Sequence, residues 1–183
     1  MGQKLSIGSG LIDAPAQTLC GASTSLGALA GGRRTALFFL RDAACVLSQA
    51  YIRALTEQEE LFLRNDTRAI IVVNASMEGA SSVLRPEEVP FEVICDAQGV
   101  IYERYGVQTA PSKAELGDEG TVKRIKEAYD AGFIHGTDTG DPLRLPAVFV
   151  FGADGKASFV YYGKLGDDLP TLSALEEELK PKT

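Results

Sequence analysis

The chain has 183 residues, 45% of them hydrophobic, and a mean hydropathy of +0.00, which is typical of one globular domain with its own core. Its net charge of −7, without any cluster of Lys and Arg, argues against nucleic acid as a partner. No apolar run is long enough to span a membrane, and the N-terminus lacks the apolar centre of a signal peptide. We therefore expect a cytoplasmic protein without a membrane partner.

The first 33 residues are rich in Gly, Ser and Ala and predict an N-terminal arm with at most a short hairpin. The apolar run over 36–40 predicts the first strand of a sheet. A long helix is predicted over 43–64, where apolar side chains recur at helical spacing: Leu47, Tyr51, Leu55 and Phe62. The continuous apolar run over 69–73 predicts a strand that is buried on both faces, as in a parallel sheet.

The next predicted elements are a short helix over 79–84, a more exposed strand over 91–95 and a brief helix over 102–105. Residues 107–143 then break this alternation, with a helix over 119–129 and a loop over 132–142. We interpret this stretch as an insertion between two sheet strands, and long insertions of this kind are often functional. The last predicted elements are a hairpin of strands 147–151 and 158–162 and a helix over 172–179.

Right-handed crossovers would place the first strand at the centre of the sheet, with 69–73 and 91–95 on one side and the closing hairpin on the other. This order predicts an α/β protein with a thioredoxin-like fold. Its central mixed sheet would be mostly parallel, with a C-terminal antiparallel hairpin, and would be flanked by helices. We expect a single domain over residues 1–183, with the arm at 1–33 and the helical insertion at about 107–143.

Cys45 lies where the strand 36–40 gives way to the long predicted helix. A thiol at the start of a helix is close to unpaired backbone N–H groups and to the positive end of the helix dipole. Both favour the thiolate, which is the form that attacks peroxides and disulfides. This junction therefore predicts a reactive cysteine. The sequence has one histidine, His135, and no Cys/His cluster with ligand spacing, so we expect no metal and no cofactor.

Several motifs occur in a characteristic order along the chain: Ala14-Pro15, Phe38-Phe39-Leu40-Arg41 before Cys45, Cys95-Asp96-Ala97-Gln98-Gly99, Gly140-Asp141-Pro142-Leu143-Arg144-Leu145-Pro146, and Asp154-Gly155. Together they resemble the peroxiredoxin superfamily, in particular the branch related to alkyl hydroperoxide reductase and thiol-specific antioxidant proteins. The resemblance implies that Cys45 takes the place of the peroxidatic or first redox cysteine. It also implies a peroxide or a thiol/disulfide substrate, an external thiol as reductant, and a possible homodimer.

The chain departs from the pattern of these relatives at three positions. Many of them carry a second cysteine three residues after the first, where this chain has Ser48. True peroxiredoxins carry a threonine three residues before the cysteine and a proline seven before it, where this chain has Asp42 and Phe38. An ionised Asp42 would repel the thiolate, whereas the threonine hydroxyl would donate to it. We interpret Asp42 as the N-cap of the long helix, accepting from the backbone N–H of Cys45.

The charge of Asp42 would offset part of the helix dipole at Cys45. Arg41 or Arg144 would restore the balance if its side chain points into the site. Pro146 matches the position of the cis-proline that faces the redox cysteine in thioredoxin-like folds, and we expect a cis peptide bond there. With Asp42 and Ser48, Pro146 is predicted to shape the substrate groove.

The other two cysteines are weak candidates for resolving Cys45. Cys95 would end a strand two places from the strand before Cys45, roughly 10 Å away at normal strand spacing. A disulfide needs Cα atoms within about 7 Å, so that pair would require rearrangement. Cys20 lies in the arm and could approach Cys45, although a buried or idle thiol is the favoured interpretation. His135, in the insertion loop, is expected on the surface.

The first functional hypothesis is a thiol-dependent oxidoreductase that reduces a peroxide or a related electrophile through Cys45. Its catalytic residues would be Cys45, Arg41 and Arg144, and the insertion would cover the site. The alternative is a redox-inactive thioredoxin-fold protein that serves as a binding or assembly module, in which Cys45 is a small buried core residue. A third possibility is non-redox chemistry on a metabolite in the same pocket.

Overall fold

The computed structural model describes residues 2–180, in which a mixed sheet lies between two groups of helices. The strands are β1 Pro15–Gln17, β2 Ser23–Ser25, β3 Thr35–Leu40, β4 Arg68–Val73, β5 Glu92–Cys95, β6 Ala147–Phe151 and β7 Ala157–Tyr162. The helices are α1 Leu26–Ala30, α2 Val46–Glu57, α3 Glu59–Arg64, α4 Met77–Ser81, α5 Val100–Arg104, α6 Glu119–Asp130 and α7 Leu172–Leu179. No helix within residues 2–180 has the length and apolarity needed to cross a membrane.

The five-stranded sheet has the order β5-β4-β3-β6-β7. Strands β3, β4 and β5 are parallel, whereas β6 runs antiparallel to both β3 and β7. This order confirms the predicted central position of the first strand and the predicted closing hairpin. Strands β1 and β2 form a separate two-stranded hairpin in the N-terminal arm.

Strand β3 joins the two cores because its alternate side chains enter opposite faces of the sheet. Phe38 packs edge-on against Phe62 of α3, at 5.9 Å between ring centroids. On the other face, Phe39 packs against Tyr102 and Phe149, at 5.1 and 5.5 Å. Burial of each such ring stabilises the fold by roughly 1.5–3 kcal/mol, so the end of β3 is held firmly in place.

The long helix predicted over 43–64 is wrong as one element. It is divided into α2 and α3 at Gln58, whose φ of −113° and ψ of 27° lie outside the helical region. The break lets Leu61 and Phe62 turn into the core. It also places Glu59 and Glu60 in the first turn of α3, where the helix dipole favours negative charge.

Two short helices begin two residues earlier than predicted because local caps set their first turns. The side chain of Ser76 accepts from the N–H of Gly79 at 3.0 Å and begins α4. The carboxylate of Asp96 accepts from the N–H groups of Val100 and Ile101 at 3.0 and 2.7 Å and begins α5. Each cap satisfies backbone donors that would otherwise lack a partner.

The N-terminal arm pairs with both edges of the large sheet. The N–H of Gly8 donates to the carbonyl of Ala157 at the start of β7, at 2.8 Å. Farther along the arm, the N–H of Leu19 donates to the carbonyl of Val93 in β5, also at 2.8 Å. The arm therefore contains more ordered structure than the short hairpin predicted for it.

Tyr102 connects α5 to the ends of the two central parallel strands. It is fully buried, and its hydroxyl donates to the carbonyl of Val72 at 2.8 Å and also contacts the carbonyl of Leu40. Burial raises the pKa of this phenol well above its ordinary value. The contact with Leu40 fixes the backbone directly before Arg41, where the candidate site begins.

We expect Tyr102→Phe to lower the free energy of unfolding by about 1–3 kcal/mol, because two buried carbonyls lose their hydroxyl donor. Urea unfolding measures this difference. The matched control is Tyr129→Phe, since Tyr129 is 49% exposed and its loss of a hydroxyl should change stability by less than about 0.5 kcal/mol. Equal effects of the two substitutions would contradict the role assigned to the Tyr102 hydroxyl.

Candidate active site

Cys45 occupies the N-cap position of α2, one residue before the first helical residue. Its N–H donates to the backbone carbonyl of Asp42 at 3.1 Å, and its carbonyl accepts from the N–H of Gln49 at 3.0 Å. The side chain is 6% exposed and makes no capping hydrogen bond. The first turn of α2 contains no acidic residue, so the positive end of its dipole is not offset from within the helix.

Arg41 brings a positive charge to the thiol. Its Nη1 donates to Cys45 Sγ at 3.5 Å, and its Nη2 donates to the carbonyl of Pro142 at 2.8 Å. No carboxylate among the described residues forms an ion pair with Arg41, and its buried Nε has no hydrogen-bond partner there. The guanidinium charge is therefore available to stabilise negative charge on the sulfur.

Arg144 is held elsewhere. Its side chain is buried, Nη1 donates to the carbonyl of Val107 at 3.4 Å, and the guanidinium lies 5.0 Å from the centre of the Tyr102 ring. Gly99 leaves room for it, because a Cβ on that residue would lie 2.3 Å from Nη2 of Arg144. Of the two arginines predicted to face the thiol, the structure brings only Arg41 to Cys45.

Asp42 does not have the role predicted for it. Its Oδ1 accepts from the N–H of Ala44 at 2.9 Å, and its Oδ2 accepts from the N–H groups of Thr139 and Gly140 at 2.8 and 2.9 Å. The N-cap prediction is wrong because α2 begins later than expected and Cys45 itself occupies that position. The buried carboxylate is turned into the insertion loop, and Asp42 does not line the groove beside Arg41.

A groove of about 380 Å³ lies beside Arg41, between α2, α6 and residues 164–169. Three of the predicted site residues line it, namely Arg41, Ser48 and Pro146. Eight of the other thirteen lining residues are apolar: Leu40, Leu47, Ala50, Ala54, Ala128, Ala131, Phe133 and Leu169. A cavity of this volume with an apolar lining and few polar groups is typical of a small-molecule site.

Pro146 is buried directly before β6 and lines the groove, but its peptide bond is not cis. Among the described residues there is no cis peptide bond, so the expectation of a cis Leu145–Pro146 bond is wrong. Backbone hydrogen bonds of Leu145 and Pro146 fix the chain on both sides of this trans bond. The N–H of Leu145 donates to the carbonyl of Gln108 at 3.0 Å, and the carbonyl of Pro146 accepts from the N–H of Gly163 at 2.9 Å.

The insertion lies over the turn that carries Cys45. Helix α6 packs against α2, and the N–H of Gly136 donates to the carbonyl of Ala44 at 3.0 Å. The buried amide of Gln49 donates to the carbonyls of both Ala44 and Ile134, each at 3.0 Å. His135 is exposed, as expected, with Nε2 3.7 Å from Asp138.

Asn74 is a site residue that the sequence analysis missed. Its Oδ1 accepts from the N–H of Asp141 at 2.7 Å, while its Nδ2 donates to the carbonyl of Asp96 at 2.6 Å. It directly follows β4, as Asp42 closely follows β3. Its position directly after a buried parallel strand could have predicted this, because the carboxyl ends of such strands lie along one edge of the sheet.

The other two cysteines lie away from Cys45. Cys95 ends β5, two strands from β3, and burial raises the pKa of its thiol to about 11. Cys20 is exposed in the arm, in a groove with Thr67 and Pro90 near the opposite ends of the parallel strands. All three cysteines are free thiols.

Comparison with known families covers most of the chain. The model of the AhpC/TSA family matches residues 7–160. The chain belongs to the AhpC/TSA family. This confirms the resemblance that the motifs around Cys45 and Pro146 indicate. No curated protein matches this AhpC/TSA chain.

Solved structures show what this AhpC/TSA chain is similar to. A mutant of the peroxiredoxin 6 of Arenicola marina aligns with 96% of this chain and 72% of its own, at 15% identity and a TM-score of 0.69. The peroxidoxin BcpB of Mycobacterium tuberculosis aligns over 94% and 93%, at 15% identity and a TM-score of 0.63. A putative thiol:disulfide interchange protein DsbE of Chlorobium tepidum aligns over 96% of both chains, at 17% identity and a TM-score of 0.62. These likenesses confirm the predicted thioredoxin-like fold.

We expect the alkylation rate of Cys95 to keep rising with pH until about pH 11, because its raised pKa leaves little thiolate at lower pH. Iodoacetamide labelling of a variant that retains Cys95 alone measures this profile. A variant that retains only the exposed Cys20 is the comparison and should react faster at neutral pH. Equal rates for the two thiols at neutral pH would contradict the effect assigned to burial.

Proposed function

We propose that the protein is a thiol-dependent peroxidase in which the Cys45 thiolate attacks the O–O bond of a peroxide or a related electrophile. The observation that carries the proposal is the 3.5 Å contact between Arg41 Nη1 and Cys45 Sγ at the positive end of α2. Both features stabilise the thiolate, which is the attacking form. Membership of the AhpC/TSA family and the peroxiredoxins among its structural neighbours support a peroxide as the oxidant.

In the proposed first half-reaction, the thiolate sulfur bonds to one peroxide oxygen as the O–O bond breaks. The other oxygen leaves as an alkoxide or hydroxide and takes a proton from solvent. Cys45 is thereby oxidised to a sulfenic acid, and the peroxide is reduced to an alcohol or water. Arg41 is adjacent to the sulfur on which negative charge is held before attack.

The reductant in the proposed cycle is an external thiol. Ser48 occupies the position of a local second cysteine, and Cys20 and Cys95 lie away from Cys45. A first thiol condenses with the sulfenic acid to give a mixed disulfide and water, and a second thiol displaces the Cys45 thiolate as an external disulfide forms. The three free cysteines support a reducing compartment, which we propose is the cytoplasm.

The competing function is a redox-inactive binding module, and the 6% exposure of Cys45 favours it. A buried cysteine beside apolar residues is often only a small core residue. The contact with Arg41 weighs against this alternative. Placing a guanidinium that has no ion-pair partner among the described residues beside an apolar core residue would be unfavourable. Activity and its dependence on Arg41 separate the two functions.

We expect Cys45→Ser to abolish peroxide-dependent oxidation of an external thiol. Arg41→Met should lower kcat/KM about 10- to 100-fold, because a hydrogen bond to a charged group contributes about 1.5–3 kcal/mol and each ~1.4 kcal/mol is tenfold. Arg53→Met is the matched control, since the Arg53 side chain is exposed and pairs with Glu57 on the surface of α2. Retained activity in Cys45→Ser would exclude the proposed function.

We expect Ala54→Phe to discriminate between peroxides by filling the groove beside Arg41. Its kcat/KM for cumene hydroperoxide should fall about tenfold or more, since steric fit in an apolar pocket is worth roughly 1–3 kcal/mol. Its kcat/KM for hydrogen peroxide should be unchanged, because that substrate has no apolar substituent. Ala28→Phe, at an exposed position of α1, is the control. An equal loss for both peroxides would argue against the groove as the substrate site.

A further inference from the structure

We propose that Asp42 is a positioning residue that acts through the insertion loop and Arg41 to hold the guanidinium against Cys45 Sγ. The inference rests on the proposed role of Cys45 and Arg41 and extends it to a residue that touches neither the sulfur nor the groove. The negative charge of Asp42 by itself would disfavour the Cys45 thiolate. The inferred positioning of Arg41 by Asp42 favours that thiolate instead.

The first step of the argument is that Asp42 fixes the insertion loop. The side chain is 3% exposed, and its Oδ2 accepts from two consecutive backbone N–H groups, those of Thr139 and Gly140, at 2.8 and 2.9 Å. Its Oδ1 accepts from the N–H of Ala44 at 2.9 Å. Hydrogen bonds from backbone donors to an ionised carboxylate are among the strong ones, so this carboxylate joins the Cys45 turn to the loop.

The second step is that the loop has little freedom at this point. The N–H of Asp141 donates to Asn74 Oδ1 at 2.7 Å. Gly140 lies directly against the backbone of Asn74, and a Cβ on Gly140 would be 1.8 Å from the Asn74 carbonyl oxygen. Asp42 and Asn74 therefore hold successive loop residues from the ends of β3 and β4.

The third step connects the loop to the thiol. The next residue, Pro142, supplies the carbonyl that accepts from Arg41 Nη2 at 2.8 Å, while Nη1 of the same guanidinium reaches Cys45 Sγ at 3.5 Å. A guanidinium is planar and rigid, so fixing one of its Nη atoms also fixes the direction of the other. The buried Nε of Arg41 has no partner among residues 2–180 that would hold the group independently.

Asp42 can affect the thiol in two ways that differ in sign. As a nearby negative charge it disfavours the thiolate, so its neutralisation would favour ionisation of Cys45. As a positioning residue it keeps Arg41 in place, so its replacement would disfavour ionisation. The other charged groups around the site are engaged elsewhere or face solvent: Arg124 pairs with Asp167, Asp141 accepts from Leu143 N–H, Arg144 lies over Tyr102, His135 faces Asp138, and Glu127 lines the far side of the groove.

The test measures iodoacetamide alkylation of Cys45 against pH in a chain with Cys20→Ser and Cys95→Ser. We expect Asp42→Asn to raise the midpoint of the profile by about one pH unit, which is a tenfold loss of thiolate below the midpoint. Asn keeps the size of the side chain but cannot accept with both of its terminal atoms. Asp138→Asn, at an exposed carboxylate of the same loop, is the matched control and should leave the midpoint unchanged. A lowered or unchanged midpoint in Asp42→Asn would overturn the inference.

The same substitution in an Arg41→Met background tests whether Asp42 acts through Arg41. There we expect no upward shift from Asp42→Asn, because the group that it positions is gone. An equal upward shift in both backgrounds would overturn the inference. If Arg41→Met leaves the midpoint where it is, the role of Arg41 in the proposed function fails as well. If Arg41→Met raises the midpoint and Asp42→Asn does not, only the role of Asp42 fails.

A second variant decides the question if Asp42→Asn does not fold. Pro142 is exposed, so Pro142→Gly should leave the core intact while freeing the carbonyl that holds Arg41. We expect its alkylation midpoint to rise, with an unchanged circular dichroism spectrum. Pro90→Gly, at an exposed proline near the opposite ends of the parallel strands, is the control. Equal midpoints for the two glycine variants would contradict the proposal.

Discussion

The guanidinium of Arg41 stands between two parts of the chain that are far apart in sequence. One of its nitrogens contacts Cys45 Sγ and another contacts the carbonyl of Pro142, so the local cysteine turn and the insertion meet at this group. The position of Arg41 depends on where β3 ends. The packing of Phe39 against Tyr102 and the contact of the Tyr102 hydroxyl with the carbonyl of Leu40 fix that end. Without that fixed end, neither the helix dipole nor the arginine would be directed at the sulfur.

The strands were predictable from the sequence because their apolar runs are nearly unbroken. The predicted strands 36–40, 69–73 and 147–151 agree with β3, β4 and β6 to within one residue. Helices 119–129 and 172–179 also agree with α6 and α7 to within one residue. The starts of α2, α4 and α5 were not predictable to this precision, because they depend on competing caps. The predicted helix start at residue 43 failed because the Asp42 side chain bonds to a loop, which left Cys45 at the N-cap.

The candidate site shows the same division between local and distant information. Cys45, Arg41 and Ser48 lie within one short segment, and strand order and family motifs place Pro146 near them. Arg41, Ser48 and Pro146 line one groove, and Cys45 contacts it only through Arg41. The loop residues that donate to Asp42 Oδ2, Thr139 and Gly140, are 97 and 98 positions away, and no local sequence pattern predicts these contacts. The choice between the two arginines also depends on tertiary structure, because it follows from space left by a glycine beside Tyr102.

The N-terminal arm has a consequence for how the sheet comes apart. One continuous segment pairs near residue 8 with β7 and near residue 19 with β5, so it spans the whole width of the sheet. Because one segment is bonded to both edge strands, we expect β5 and β7 to open together as one cooperative unit. The same pairing leaves fewer free backbone groups at the margins, and so fewer places where another chain could add a strand.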